Sequence, residues 1–161
     1  MNKRRPSGFT LVELLIVIAI IGILAAIAIP NLLNAVQRGK QKRTMADMKA
    51  LATAIEAYHV DNSLYPQAAC NPGNFTTPGP FLGTDSFTNL TPTYIAQAPL
   101  QDGWGTFFRY NVDAAQANYN VRSLGRNRTA NAIRCGTTTD FNDDILFSDG
   151  VFLQWPEGTQ F

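Results

Sequence analysis

The chemistry-bearing residues of this chain are few, and the first is a carboxylate in an apolar setting. Glu13 is the one charge in the stretch GFTLVELLIVIAIIGILAAIAIPNLL, which runs from Gly8 to Leu33. At bilayer depth a carboxylate costs about 2.5–3.5 kcal/mol, so a Glu there calls for a partner. Snorkelling to the interface is the alternative. Asp140, Asp143 and Asp144 form a second acidic group. A hard cation takes about six to eight oxygens, and these three side chains could supply some of them. Arg126, Arg128 and Arg134 crowd the same region and could pair with the carboxylates instead.

Cys70 and Cys135 both lie beyond the apolar stretch, where a membrane-anchored chain carries its exported part. In an oxidising compartment the pair would form a disulfide. That bridge closes a loop of about 66 residues, worth about 4 kcal/mol in chain entropy. Two free buried thiols are the alternative. The lone histidine, His59, falls in the last turn of an amphipathic pattern, a common place for a surface or dipole-compensating side chain. No Ser-His-Asp or Cys-His arrangement builds around it, and no Gly-rich phosphate loop follows a strand. Enzymatic activity is therefore not expected. Thirteen basic and 12 acidic residues leave a net charge of +1, too small a field to attract nucleic acid.

These residues need elements to hold them. Leu14 to Ile29 contains no polar side chain, and apolar character continues past Pro30 through Leu32, Leu33, Ala35 and Val36. That is long enough for a membrane span of about 20 residues. The leader before it, Met1 to Gly8, carries Lys3, Arg4 and Arg5. Three readings compete: a secretory signal with Ala26-Ile27-Ala28 as its cleavage site, a plain transmembrane anchor, or an anchor that is trimmed. Glu13 and the continuing helical pattern oppose the signal peptide. Arg38, Lys40, Lys42 and Arg43 on the far side leave the orientation undecided by flanking charge.

Pro30 removes an amide donor, which predicts a kink or a melted turn, and Gly22 is a further weak point. Such a helix could stretch locally on leaving a bilayer; an ordinary kink without a role is the other reading. Gln37 to Thr44 forms a basic collar, suited either to lipid head groups or to a solvated face. Met45, Met48, Leu51, Ala52, Ile55 and Tyr58 recur at spacings of three and four, an amphipathic stripe to be buried. The helix should stop near Asp61-Asn62, ahead of Pro66.

Cys70 to Pro99 is broken by Pro and Gly and reads as loop. Strand patterns follow at Thr106 to Val112, Ala117 to Ser123, Ile145 to Phe147 and Val151 to Trp155, with a hairpin turn at Asp149-Gly150. The fold class is α+β: a long N-terminal helix, its hydrophobic half protruding, packed on one face of a small antiparallel sheet. The segments are a leader at 1–8, a hydrophobic assembly helix at 9–36, its amphipathic continuation at 37–62 and a globular part at 63–161.

Lys3-Arg4-Arg5, then Gly8-Phe9-Thr10-Leu11-Val12-Glu13-Leu14-Leu15 and the apolar run to Pro30, resembles the class III leader and N-terminal helix of type IV pilins and type II secretion pseudopilins. The resemblance is dense to about residue 36. It implies cleavage after Gly8 by a prepilin peptidase, which also methylates the new N-terminus at Phe9, and an assembly role for Glu13. A free α-amine on Phe9 would then be the nearest positive charge. In a bundle it can belong to a neighbouring copy, so that each Glu13 is neutralised only in register.

A thinner similarity, to the major pseudopilins, runs through Asp102-Gly103-Trp104-Gly105, Phe108, Tyr110, Tyr119-x-Val121-x-Ser123-Leu124-Gly125 and Asp140 to Ile145. It implies a calcium site in the loop after Ser-Leu-Gly. Here the chain departs from the pattern, with Asn127 where Asp is usual, extra arginines and a longer loop.

The expected function is a structural subunit of a type IV pilus-like filament, with the major pseudopilin of a periplasmic, export-driving pseudopilus as the alternative. A tethered binding domain that never polymerises is a third reading. The implied partners are further copies of the chain, the peptidase, inner-membrane assembly machinery and, before assembly, the bacterial inner membrane. The end state is an extracellular pilus or a periplasmic pseudopilus.

Overall fold

The computed structural model describes residues 8–66, 89–113 and 115–158. The chain divides into two compact units, Met1–Gln37 and Arg38–Phe161. Among the described residues one helix, α1, spans Leu11–Asn62, and five strands follow: β1 (Arg109–Val112), β2 (Tyr119–Ser123), β3 (Gly136–Thr138), β4 (Ile145–Ser148) and β5 (Val151–Pro156).

In the first unit the apolar side chains of α1 face outward. Leu14, Leu15, Ile18, Ile21, Leu24, Ile27, Leu32 and Leu33 are all exposed. This part of α1 is long and apolar enough to cross a membrane. The helix is continuous through Gly22 and Pro30, so the melted turn that Pro30 predicts is absent from the single chain. One missing amide bond does not interrupt a ladder whose neighbouring turns are built from Ala, Ile and Leu, good or fair helix formers.

The second unit holds the core. Met48, Leu51 and Ile55 are fully buried, with Met45 and Ala52 beside them, as their spacing predicts. Each such large side chain contributes about 1.5–3 kcal/mol by leaving water. They form one cluster with Phe108, Tyr110, Val112, Tyr119, Val121, Ile145 and Phe147. The strands supply these residues in register: Tyr110 lies opposite Val121, Val121 opposite Phe147, and Phe147 opposite Phe152. The row therefore crosses four strands on one face. The helix ends at Asn62, where the pattern predicts.

The sheet order is β1-β2-β4-β5-β3. It is mixed, where the sequence pattern predicts an antiparallel sheet, because β3 joins the β5 edge in parallel. Gly136-Thr137-Thr138 has no apolar alternation, so nothing in its residue types marks it as a strand. The hairpin between β4 and β5 turns at Asp149 and Gly150, with φ of 45° and 88°. Positive φ at both positions is what a two-residue type I′ turn requires.

The sheet is buried on both faces, not one. Opposite the apolar row runs a second, in which Arg122 pairs with Leu146 and Leu146 with Gln154, all three buried. Polar side chains on this face hold the chain between β2 and β4. Arg134 donates its amide to Gln154 Oε1 at 2.6 Å, and Gln154 Nε2 donates to the carbonyl of Asp144 at 2.9 Å.

A tight corner precedes β1. Buried Asp102 accepts the amides of Trp104 and Thr106 on Oδ1, both at 2.9 Å, and the Ser123 hydroxyl on Oδ2 at 2.7 Å. Gly103 donates its amide to Thr44 Oγ1 at 2.8 Å. A Cβ on Gly103 would stand 2.4 Å from the Lys40 carbonyl oxygen, so only glycine allows this approach to α1.

Candidate functional site

The N-terminal site is built from the first turn of α1. Thr10 precedes the first helical residue, and its Oγ1 accepts the amide of Glu13 at 3.2 Å. Glu13 Oε2 in return accepts the amide of Thr10 at 2.9 Å and its hydroxyl at 2.7 Å. This is a reciprocal capping box, which satisfies amides that a helix start leaves without partners. Thr-x-x-Glu before an apolar run is its sequence signature, so the cap was legible in the residues, although the reading of Glu13 as a membrane charge passes over it.

Gly8, Phe9 and Thr10 are non-helical and exposed. Phe9 is 74% exposed. Of the other proposed assembly residues, Gly22 has open space around its α-carbon, and Pro30 lies within the helix among exposed apolar neighbours. A continuous apolar surface of this kind marks a membrane or a protein interface.

The second candidate is the acidic loop, and here the three aspartates do not converge. Asp140 Oδ1 accepts the amide of Asn142 at 2.8 Å. The Asp143 carboxylate accepts the hydroxyl of Thr138. Asp144 is fully buried; its Oδ2 accepts Arg122 Nε in an ion pair, and its Oδ1 accepts the amide of Asn131 at 3.2 Å. Burial pushes the Asp144 carboxyl above the usual carboxylate range, while the Arg122 charge and the Asn131 amide pull it back.

Among the described residues no three His, Cys, Asp or Glu side chains form a group able to hold a metal. The residues present do not fit the calcium site that the resemblance implies. Of the loop arginines, Arg126 donates to Asn142 Oδ1 at 3.0 Å and Arg128 to the Trp104 carbonyl at 3.1 Å. Among the described residues the arginine paired with one of these three aspartates is Arg122 in β2, which the residue pattern does not single out. Its signal is a charge inside a strand pattern, directly after Val121.

Cys135 is exposed just before β3, and its proposed partner Cys70 lies outside the described residues. His59 stacks on Tyr65, with ring centroids 4.2 Å apart.

Two family matches cover most of the chain. Residues 3–29 match the family described as Prokaryotic N-terminal methylation motif. Residues 31–138 match the one described as Type II secretion system (T2SS), protein G. The chain belongs to the type II secretion system protein G family. A relative named Type II secretion system core protein G, from Aeromonas hydrophila, is 32% identical over 137 residues, covering 78% of this chain and 86% of its own. Its namesake from Vibrio cholerae is 33% identical over 130 residues, covering 77% and 83%. That from Escherichia coli is 41% identical over 122 residues, covering 75% and 82%. Membership of the protein G family favours the secretion alternative over the pilus subunit that the N-terminus first suggests, and gives no support to an extracellular pilus.

Proposed function

We propose that the chain is the major pseudopilin of a type II secretion system. It is inserted in the inner membrane, cut after Gly8, methylated at Phe9 and polymerised through residues 9–36 into a periplasmic pseudopilus that drives protein export. The observation that carries this reading is the protein G match over residues 31–138, joined to a helix half whose apolar side chains are exposed. Burying that surface among copies supplies the cohesion of a filament, at about 25 cal/mol per Å² of apolar area.

Glu13 gives the assembly its register. Both bonds from Thr10 end on Oε2, so Oε1 is the oxygen that a neighbour's α-amine would meet. That amine exists only after the cut at Gly8, so processing precedes assembly. Local opening near Gly22 and Pro30, absent from the single chain, would belong to the passage from bilayer to filament. The prepilin peptidase, the inner-membrane assembly machinery and further copies of this chain are the partners.

Deletion of the gene should abolish export of secreted enzymes while leaving surface pili and their motility intact. Normal export with lost surface filaments would restore the pilus reading. Mass spectrometry of the membrane fraction should find an N-methylated Phe9, and Gly8→Ala should leave the heavier, uncut precursor.

A further inference from the structure

We infer that the loop between β2 and β4 carries its own cation: the Arg122 guanidinium occupies the position that a divalent metal would need, and this chain folds and assembles without calcium. The inference is independent of which filament the chain builds. Arg122 Nε donates to Asp144 Oδ2, and its Nη2 donates to the main-chain carbonyl of Asn131. A carboxylate oxygen and a main-chain carbonyl oxygen, drawn from two points of one loop, are the donor types a calcium ion gathers. Here they converge on a guanidinium whose side chain is 5% exposed.

The rest of the loop is closed around that centre. Asn131 donates its side-chain amide to the Asn142 carbonyl at 2.5 Å, and Arg126 donates its main-chain amide to the Phe141 carbonyl at 2.9 Å. Asp140 and Asp143 spend their carboxylates on the Asn142 amide and the Thr138 hydroxyl. A calcium ion would have to expel a buried guanidinium that already holds the Asp144 carboxylate and the Asn131 carbonyl. It would also add two charges near Arg109, which stands opposite Arg122 across the β1–β2 ladder. Arg126 and Arg128 add further positive charge in the same loop.

The test is thermal unfolding of the full processed chain in detergent micelles, in millimolar calcium and in excess chelator. The expected result is the same midpoint in both; a higher midpoint in calcium overturns the inference. A second arm asks whether Arg122 acts as the counter-charge of Asp144. Arg122→Met should lower the midpoint, and adding Asp144→Leu should recover part of the loss because the stranded carboxylate goes with it. An Arg122→Met midpoint at the wild-type value, or a double variant whose loss equals the sum of the two single losses, overturns the assignment.

Discussion

Asp144 is fully buried and meets a guanidinium of its own chain, whereas Glu13 is exposed and takes its hydrogen bonds from the amide and hydroxyl of Thr10. The first carboxylate has its full counter-charge within the fold, so it stabilises a loop and has nothing to offer a ligand. The second is satisfied as a hydrogen-bond acceptor by Thr10 and has no counter-charge among the described residues. In water that costs little; in a bilayer it is an imbalance of about 2.5–3.5 kcal/mol. The same group thus closes a loop in the globular part of the molecule and, in the N-terminal part, caps the start of an exposed apolar helix.

The largest test of this contrast is Glu13→Ala. Filament yield by electron microscopy and export of secreted enzymes should both fall to background, while the midpoint of unfolding of the globular part stays at the wild-type value. Filaments at wild-type yield would mean that Glu13 has no role in pairing copies. Asp144→Asn should behave in the opposite way. It strands a buried guanidinium and should cost about 3–5 kcal/mol of folding stability, read by denaturant titration, with processing at Gly8 unchanged. A loss below about 1 kcal/mol, the value of exposed ion pairs, would place the Arg122–Asp144 pair with them and dissolve the distinction.

Next in size is Gly103→Ala. Its methyl meets the Lys40 carbonyl, and overpacking of this kind costs about 1–3 kcal/mol. The prediction sharpens the comparison because the corner at Asp102-Gly103 secures the globular unit alone. Processing of Gly103→Ala should match wild type even where its denaturation midpoint falls.

Much of this was open to reading in the residues, for reasons that differ by region. The stripe from Met45 to Ile55 and the Tyr110-Val121-Phe147 row announce themselves because burial on one face imposes a period on apolar residues. β3 does not, since three residues at a sheet edge are held by backbone bonds that any residue type can make. The buried polar face was hidden for a related cause. Arg122, Asp144 and Gln154 look like solvent-facing positions until long-range register brings Asn131 and Arg134 onto them. Spacing places three aspartates close in sequence, but their hydrogen bonds take each carboxylate to a different donor. At the N-terminus the motif identifies Glu13, and the local partner Thr10 three residues earlier separates its capping role from its charge.

That separation makes Thr10→Ala the smallest and most discriminating change. It removes the hydroxyl that bonds both the Glu13 amide and carboxylate, and should cost about 1 kcal/mol of helix stability at the first turn. The carboxylate itself remains, as does the Thr10-position amide that donates to it. If Glu13 serves assembly through its charge, Thr10→Ala filaments should form at a reduced rate but reach wild-type length, and Glu13→Gln should fail even though its side-chain oxygen can still accept from the residue 10 amide. If Glu13 serves chiefly as a cap, the order reverses: Glu13→Gln assembles and Thr10→Ala does not. Comparing the two variants by the rate and final yield of filaments assigns the carboxylate to its neighbour three residues away or to the amine of another copy.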